Sequence, residues 1–130
     1  MKIARNAYVL PVRKTFADMI DSHLVDKSGL VVLRFRDPSY TADSGGGYHP
    51  VEVRVGADGK LVYVTDFAFC GGPFPELVKE LDFDFGLGLF QQFGVDYPIV
   101  EGRELFRIFQ DNFVAYHAWG VFEVTVEEER

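Results

Sequence analysis

A single cysteine, Cys70, leaves the 130-residue chain without an internal disulfide and without a Cys-based zinc knot. A charged-then-apolar leader at the amino end is missing, and so is any uninterrupted apolar run of membrane-spanning length. These absences lead to the expectation of a cytoplasmic protein that works away from membranes. Nucleophile and nucleotide signatures are lacking too. No Ser stands in a Gly-x-Ser-x-Gly elbow, and no glycine loop runs into the Lys-Ser/Thr of a phosphate cradle. Gly45-Gly46-Gly47 has neither the trailing Gly nor a strand-to-helix setting, so it reads as chain flexibility. With no internal repeat and no low-complexity tract, repeat and fibrous architectures also drop out.

What the chain does have is apolar and aromatic weight. It is 48% hydrophobic with thirteen Phe, enough for one ring-rich core and too little for two, so residues 1–130 are expected to form a single domain. The net charge of -7 is uneven. Residues 1–36 carry seven Lys/Arg against three Asp/Glu, and residues 37–130 carry six against seventeen. An acidic body argues against phosphate-backbone binding, which draws on Lys and Arg, so a nucleic-acid partner by way of the basic amino end ranks last. The asymmetry reads first as solubility and local pairing, and second as a basic segment that folds back on the acidic remainder or meets an acidic neighbour in an oligomer.

Periodicity organises the rest. Ala7 to Val12 reads as an edge strand or extended lead-in, and residues 15–27 as an amphipathic helix with Thr15 as N-cap and Gly29 as its stop. Leu30 to Arg36 alternates as a strand ended by Asp37-Pro38. Val51 to Val55 and Leu61 to Phe69 form a hairpin about Asp58-Gly59, a dipeptide suited to the positive-φ turn. After a break over residues 70–75, Leu81, Phe83 and Phe85 alternate with Glu80, Asp82 and Asp84, which predicts a strand with an anionic outer face. Residues 86–100, rich in Gly, read as an irregular connection with room for a short strand. A second amphipathic helix is predicted over residues 101–118, then a strand over 121–126, with residues 127–130 as a charged tail in water. The fold class is therefore α+β, a single antiparallel meander sheet flanked by an N-terminal and a C-terminal helix.

Candidate site residues are sparse. His23, His49 and His117 are too far apart in sequence for a recognisable metal motif, and His23 and His117 are read as structural. No catalytic, metal or cofactor-binding residue is assigned, and no cofactor is expected. Asp82 and Asp84 share a strand face at a spacing of about 7 Å, twice the rise per residue, which would suit a hydrolase carboxylate pair. The competing reading pairs them with Arg34, Arg36 and Arg54 across the sheet. Asp37, Tyr40, Tyr48 and His49 flank the Gly-rich loop and form the other candidate surface, since long loops on rigid strands concentrate binding residues. Against that stands a structural role, with Asp37 capping the Pro38 turn and the two tyrosines closing the sheet edge.

Several segments together resemble a small bacterial family known as a domain of unknown function. They are Phe35-Arg36-Asp37-Pro38-Ser39-Tyr40, Gly47-Tyr48-His49-Pro50-Val51-Glu52, Gly71-Gly72-Pro73-Phe74-Pro75-Glu76-Leu77, Leu81-Asp82-Phe83-Asp84-Phe85 and Asn112-Phe113, within about residues 30–126. A member of that family resembles the mitochondrial glycoproteins, acidic matrix proteins with a consecutive antiparallel sheet flanked by helices. Better-known relatives form ring-shaped trimers and bind many protein ligands, a complement component among them. The resemblance thus implies a non-enzymatic protein-interaction module, with a protein partner or a homo-oligomer. This chain is shorter than the ring-forming relatives and lacks their long acidic insertions, so neither the trimer nor complement binding is carried over. The alternative is a small-ligand-binding protein or carboxylate-based enzyme with its site near the 37–49 loop.

Overall fold

The computed structural model describes residues 1–129. Its elements are α1 (Lys14–Ser22), β1 (Leu30–Arg36), β2 (Val51–Val55), β3 (Leu61–Cys70), β4 (Glu76–Asp84), β5 (Leu89–Gln92), β6 (Val95–Pro98), a 3-10 turn (Ile99–Gly102), α2 (Arg103–Ala118) and β7 (Glu123–Glu129). The strands make one seven-stranded sheet in the order β6-β5-β4-β3-β2-β1-β7, antiparallel at every pairing. The α+β meander expected from the sequence is thereby observed, and β7 returns to lie beside β1.

Both helices pack on one face of this sheet. Phe16, Ile20 and Leu24 from the amino-terminal part and Phe106 and Phe113 from α2 join Val31, Leu33, Phe35, Val53, Val64 and Phe83 in one apolar cluster. Each of the largest rings buries on the order of 150–250 Å², which is how a chain this short assembles a core without a disulfide. Edge-on ring pairs set their orientation, with Phe35 and Phe113 at 4.8 Å and 86°. The opposite face follows the other phase of the alternation and is lined by a polar row, Thr125, Arg34, Glu52, Thr65, Asp82, Gln91 and Asp96, across all seven strands.

Several local expectations are corrected. The lead-in over residues 7–12 is not a strand. It is held by buried Leu10 and Val12 and by the Tyr8 hydroxyl, which accepts the Leu61 N–H. The first helix starts one residue before Thr15, its N-cap Arg13 has no side-chain cap, and it stops at Ser22 rather than at Gly29. The irregular connection contains two strands, β5 and β6, joined about Phe93 and Gly94, both at positive φ. The acidic tail is not free in water. Glu127 pairs with Arg34 at 2.7 Å, and the Glu128 carboxylate accepts the N–H groups of Ser28 and Gly29. The remaining tail residue, Arg130, lies outside the described residues. The basic amino-terminal part does meet acidic partners, Arg13 with Asp111 at 2.7 Å and Arg34 with Glu52 at 3.0 Å.

Candidate functional site

The helix-facing side of the sheet carries a row that should be wholly apolar. Val124, Phe35, Val51, Asp66 and Leu81 are cross-strand neighbours along it, and the fourth of them is an aspartate. Asp66 is 9% exposed. One of its oxygens, Oδ1, accepts the Leu81 N–H at 2.9 Å. Burial, with the Glu80 carboxylate as the next cause, pushes the Asp66 carboxyl up to about 8.

Glu80 reaches this side through a β-bulge. Asp66 pairs with Leu81 and Phe67 with Lys79, which leaves Glu80 as an extra residue in β4. The bulge breaks the alternation, so Glu80 turns toward the helices instead of joining Asp82 and Asp84 on the outer face. Its main-chain carbonyl accepts the Phe93 N–H at 2.8 Å, which fixes the distortion. His49, just before β2, completes the group with Nδ1 at 2.6 Å from Glu80 Oε2. One ligating atom from each of His49, Asp66 and Glu80 lies within 4.8 Å of the other two.

The 37–49 loop positions His49. Asp37 Oδ1 accepts from the Ser39 N–H and hydroxyl, and Oδ2 accepts the Tyr48 N–H, so both ends of the loop are tied to one carboxylate. These donors hold the Asp37 carboxyl below the usual carboxylate range. Gly47, at φ +108°, passes so close that a Cβ there would lie 2.9 Å from the Tyr40 Cβ. Tyr40 accepts the Phe69 N–H through its hydroxyl, and its ring lies 4.8 Å from that of His49. Tyr48 docks on α2 against Tyr116, with ring centroids 4.4 Å apart.

Between loop, sheet and α2 is a cavity of about 400 Å³. His49, Asp66 and Glu80 form its polar end, while Leu105, Ile108, Phe109 and Tyr116 of α2 contribute apolar wall. A few convergent polar groups at one end of an apolar cleft is the usual make-up of a small-molecule site.

Of the residues singled out from sequence, Tyr48 and His49 line this cavity, Asp37 ties its loop, and Tyr40 backs His49. Asp82 and Asp84 are elsewhere. Asp82 is buried on the outer face, where it accepts the Thr65 hydroxyl at 2.7 Å, with Lys79 at 3.7 Å. Asp84 accepts the Leu87 N–H in the turn after β4. The arginine ladder proposed for them is corrected as well, because Arg34 pairs with Glu52 and Glu127. Sequence reading missed Asp66 and Glu80. A signal for Asp66 was present, since Val62, Val64, Asp66 and Ala68 form a second alternating face with one charged member. No pattern announces the bulge that redirects Glu80.

Residues 12–127 match the family described as "Protein of unknown function (DUF2787)". The chain belongs to the DUF2787 family. Two solved structures extend the comparison. A hypothetical protein from the VSP-II pathogenicity island of Vibrio cholerae is 34% identical with a TM-score of 0.83, over 95% of this chain and 99% of its own. A conserved hypothetical protein from pathogenicity island VPI-2 of the same species is 37% identical with a TM-score of 0.76, over 94% and 98%. The latter is described as sharing structural homology with the human P32 protein, so the expected likeness to the mitochondrial glycoproteins is found in a close structural neighbour of this DUF2787 member. No curated protein matches the sequence. Among the described residues, no helix is long and apolar enough to cross a membrane.

Proposed function

We propose that the protein binds a small molecule in the cleft between α2 and the sheet. The carrying observation is the buried Asp66, set with Glu80 and His49 at the polar end of a cavity of about 400 Å³. An acidic residue in a core row costs desolvation even when it neutralises by holding a proton, and a carboxyl perturbed by burial and a neighbouring acid in a cleft is a mark of functional sites. Ligands suited to the cleft have an apolar or planar body against Phe109 and Tyr116 and a hydrogen-bonding or cationic head toward the two carboxyls. The test is a fragment screen by protein-observed NMR on wild type and on Ile108→Trp, which fills the mouth from the helix side. Fragments should shift amides around residues 48, 66 and 80 in wild type and lose at least tenfold in affinity in the variant. No hits in the cleft would overturn the reading.

A protein-interaction module is the second reading, supported by a groove of about 470 Å³ on the outer face. Phe67, Phe69 and Leu77 line it, and Phe74 in the neighbouring hairpin turn is 87% exposed. An exposed apolar patch of this kind marks interfaces. Light scattering on wild type and Phe74→Ser tests for self-association through it. A wild-type monomer at high micromolar concentration would remove the oligomer.

A further inference from the structure

The polar end of the cleft has the composition of a metal centre. His49 supplies an imidazole nitrogen, and Asp66 and Glu80 supply carboxylate oxygens from adjacent strands, all within 4.8 Å of one another. Resting on the cleft as the ligand site, we propose that His49, Asp66 and Glu80 bind one divalent transition-metal ion, of which zinc is the representative. Zinc takes nitrogen at about 2.0–2.1 Å and carboxylate oxygen at about 2.0–2.2 Å, which sets tetrahedral ligand atoms roughly 3.4 Å apart. His49 Nδ1 and Glu80 Oε2, now 2.6 Å apart, need only open by less than about 1 Å to meet that spacing.

The surroundings hold these side chains in place. The Leu81 N–H anchors Asp66 through Oδ1, and the ion would take the place of the proton that holds the Asp66 carboxyl against Glu80. The Tyr40 ring flanks His49, and the bulge carbonyl bonded to the Phe93 N–H fixes the backbone at Glu80. Supports of this kind orient metal ligands and contribute to affinity. Three protein ligands leave a fourth position, and all three residues line the cavity. That is the arrangement of a zinc site that takes up an outside ligand rather than of a closed structural one. With the ion in place, the head of the small molecule that fills this position is a metal-binding anion such as a carboxylate or hydroxamate, where the ion-free carboxyls suit a hydrogen-bonding or cationic head.

The experiment is zinc titration by calorimetry on chelator-treated full-length protein, paired with the visible absorption of bound Co²⁺. His49→Gln and Glu80→Gln are the test variants, and His117→Gln is the control because His23 and His117 form a second imidazole pair. One ion per chain is expected, with affinity falling roughly tenfold or more in each test variant and holding in the control. Two substitutions on different elements guard against one that fails to fold. No saturable binding, binding that survives both substitutions, or binding lost only with His117→Gln would overturn the proposal. Fragment binding in the chelated protein is scored separately. Its persistence without zinc binding would remove the ion alone, and zinc binding without fragments would remove the small-molecule reading alone.

Discussion

His23 and His117 lie ninety-four positions apart in the chain, yet their Nε2 atoms meet at 2.9 Å beside Phe35. One ring must donate and the other accept, so two charged rings cannot keep this contact. Burial pushes both below the ordinary value of 6.5, and the neighbouring ring adds to the effect at His23. The sign follows directly. A histidine whose folded pKa is depressed leaves the unfolded chain to take the proton first, so its contribution is present above about pH 6.5 and lost as pH falls through the folded value. The raised Asp66 carboxyl acts in the opposite direction over this window but is common to both proteins, so the histidine pair is read as a difference: between pH 7.5 and pH 5.5, His117→Gln should lose less melting temperature, or gain more, than wild type. Thermal melts followed by circular dichroism check this, and equal slopes for the two proteins would contradict it.

At the scale of elements, the junction into α2 is set by a glycine. Gly102 sits between the 3-10 turn and the helix, and a Cβ there would lie 2.9 Å from the Phe90 ring and 3.2 Å from Phe83. Those rings stack at 5.2 Å and 13° beneath it. Gly102→Ala is expected to cost about 1–3 kcal/mol by overpacking, despite the gain in helix propensity, read as a shift in the urea midpoint. An unchanged or raised midpoint would show that the rings move aside.

The elements differ in how far they could be read from sequence, and the reasons are local. The hairpin about Asp58-Gly59 and the Leu105–Phe113 stripe of α2 carry their period in the chain itself. By contrast, β5 and β6 are four residues each, too short for alternation to stand out from the glycines around them. The acidic end of β7 looked like a tail because Glu127 and Glu128 find their partners, Arg34 and residues 28–29, only once the strand has paired. The candidate site was legible at the 37–49 loop and blank at Asp66 and Glu80. One was hidden by attention to the other phase of β3, and the other by a bulge that reverses its face.

On the scale of the whole molecule, β7 closes the sheet against β1. It pairs with all seven residues of β1, from Leu30 opposite Glu129 to Arg36 opposite Glu123. Without it, the edge would be β1, whose Val31, Leu33 and Phe35 belong to the core. Removing residues 121–130 should abolish a cooperative melt and promote aggregation, because it uncovers a long apolar edge strand where an acidic one stood. A sharp transition in the truncated chain, with light scattering unchanged, would show that β1 is protected by other means.

Sheet, the 37–49 loop and α2 all contribute side chains to the cleft under α2. Its function as a ligand site is the central claim. Amide shift mapping in a fragment screen, run in parallel on wild type and Ile108→Trp, tests it most directly. The account predicts hits that perturb Tyr48, Asp66 and Glu80 in wild type and weaken at least tenfold in the variant. Hits confined to the outer face, or none at all, would contradict it.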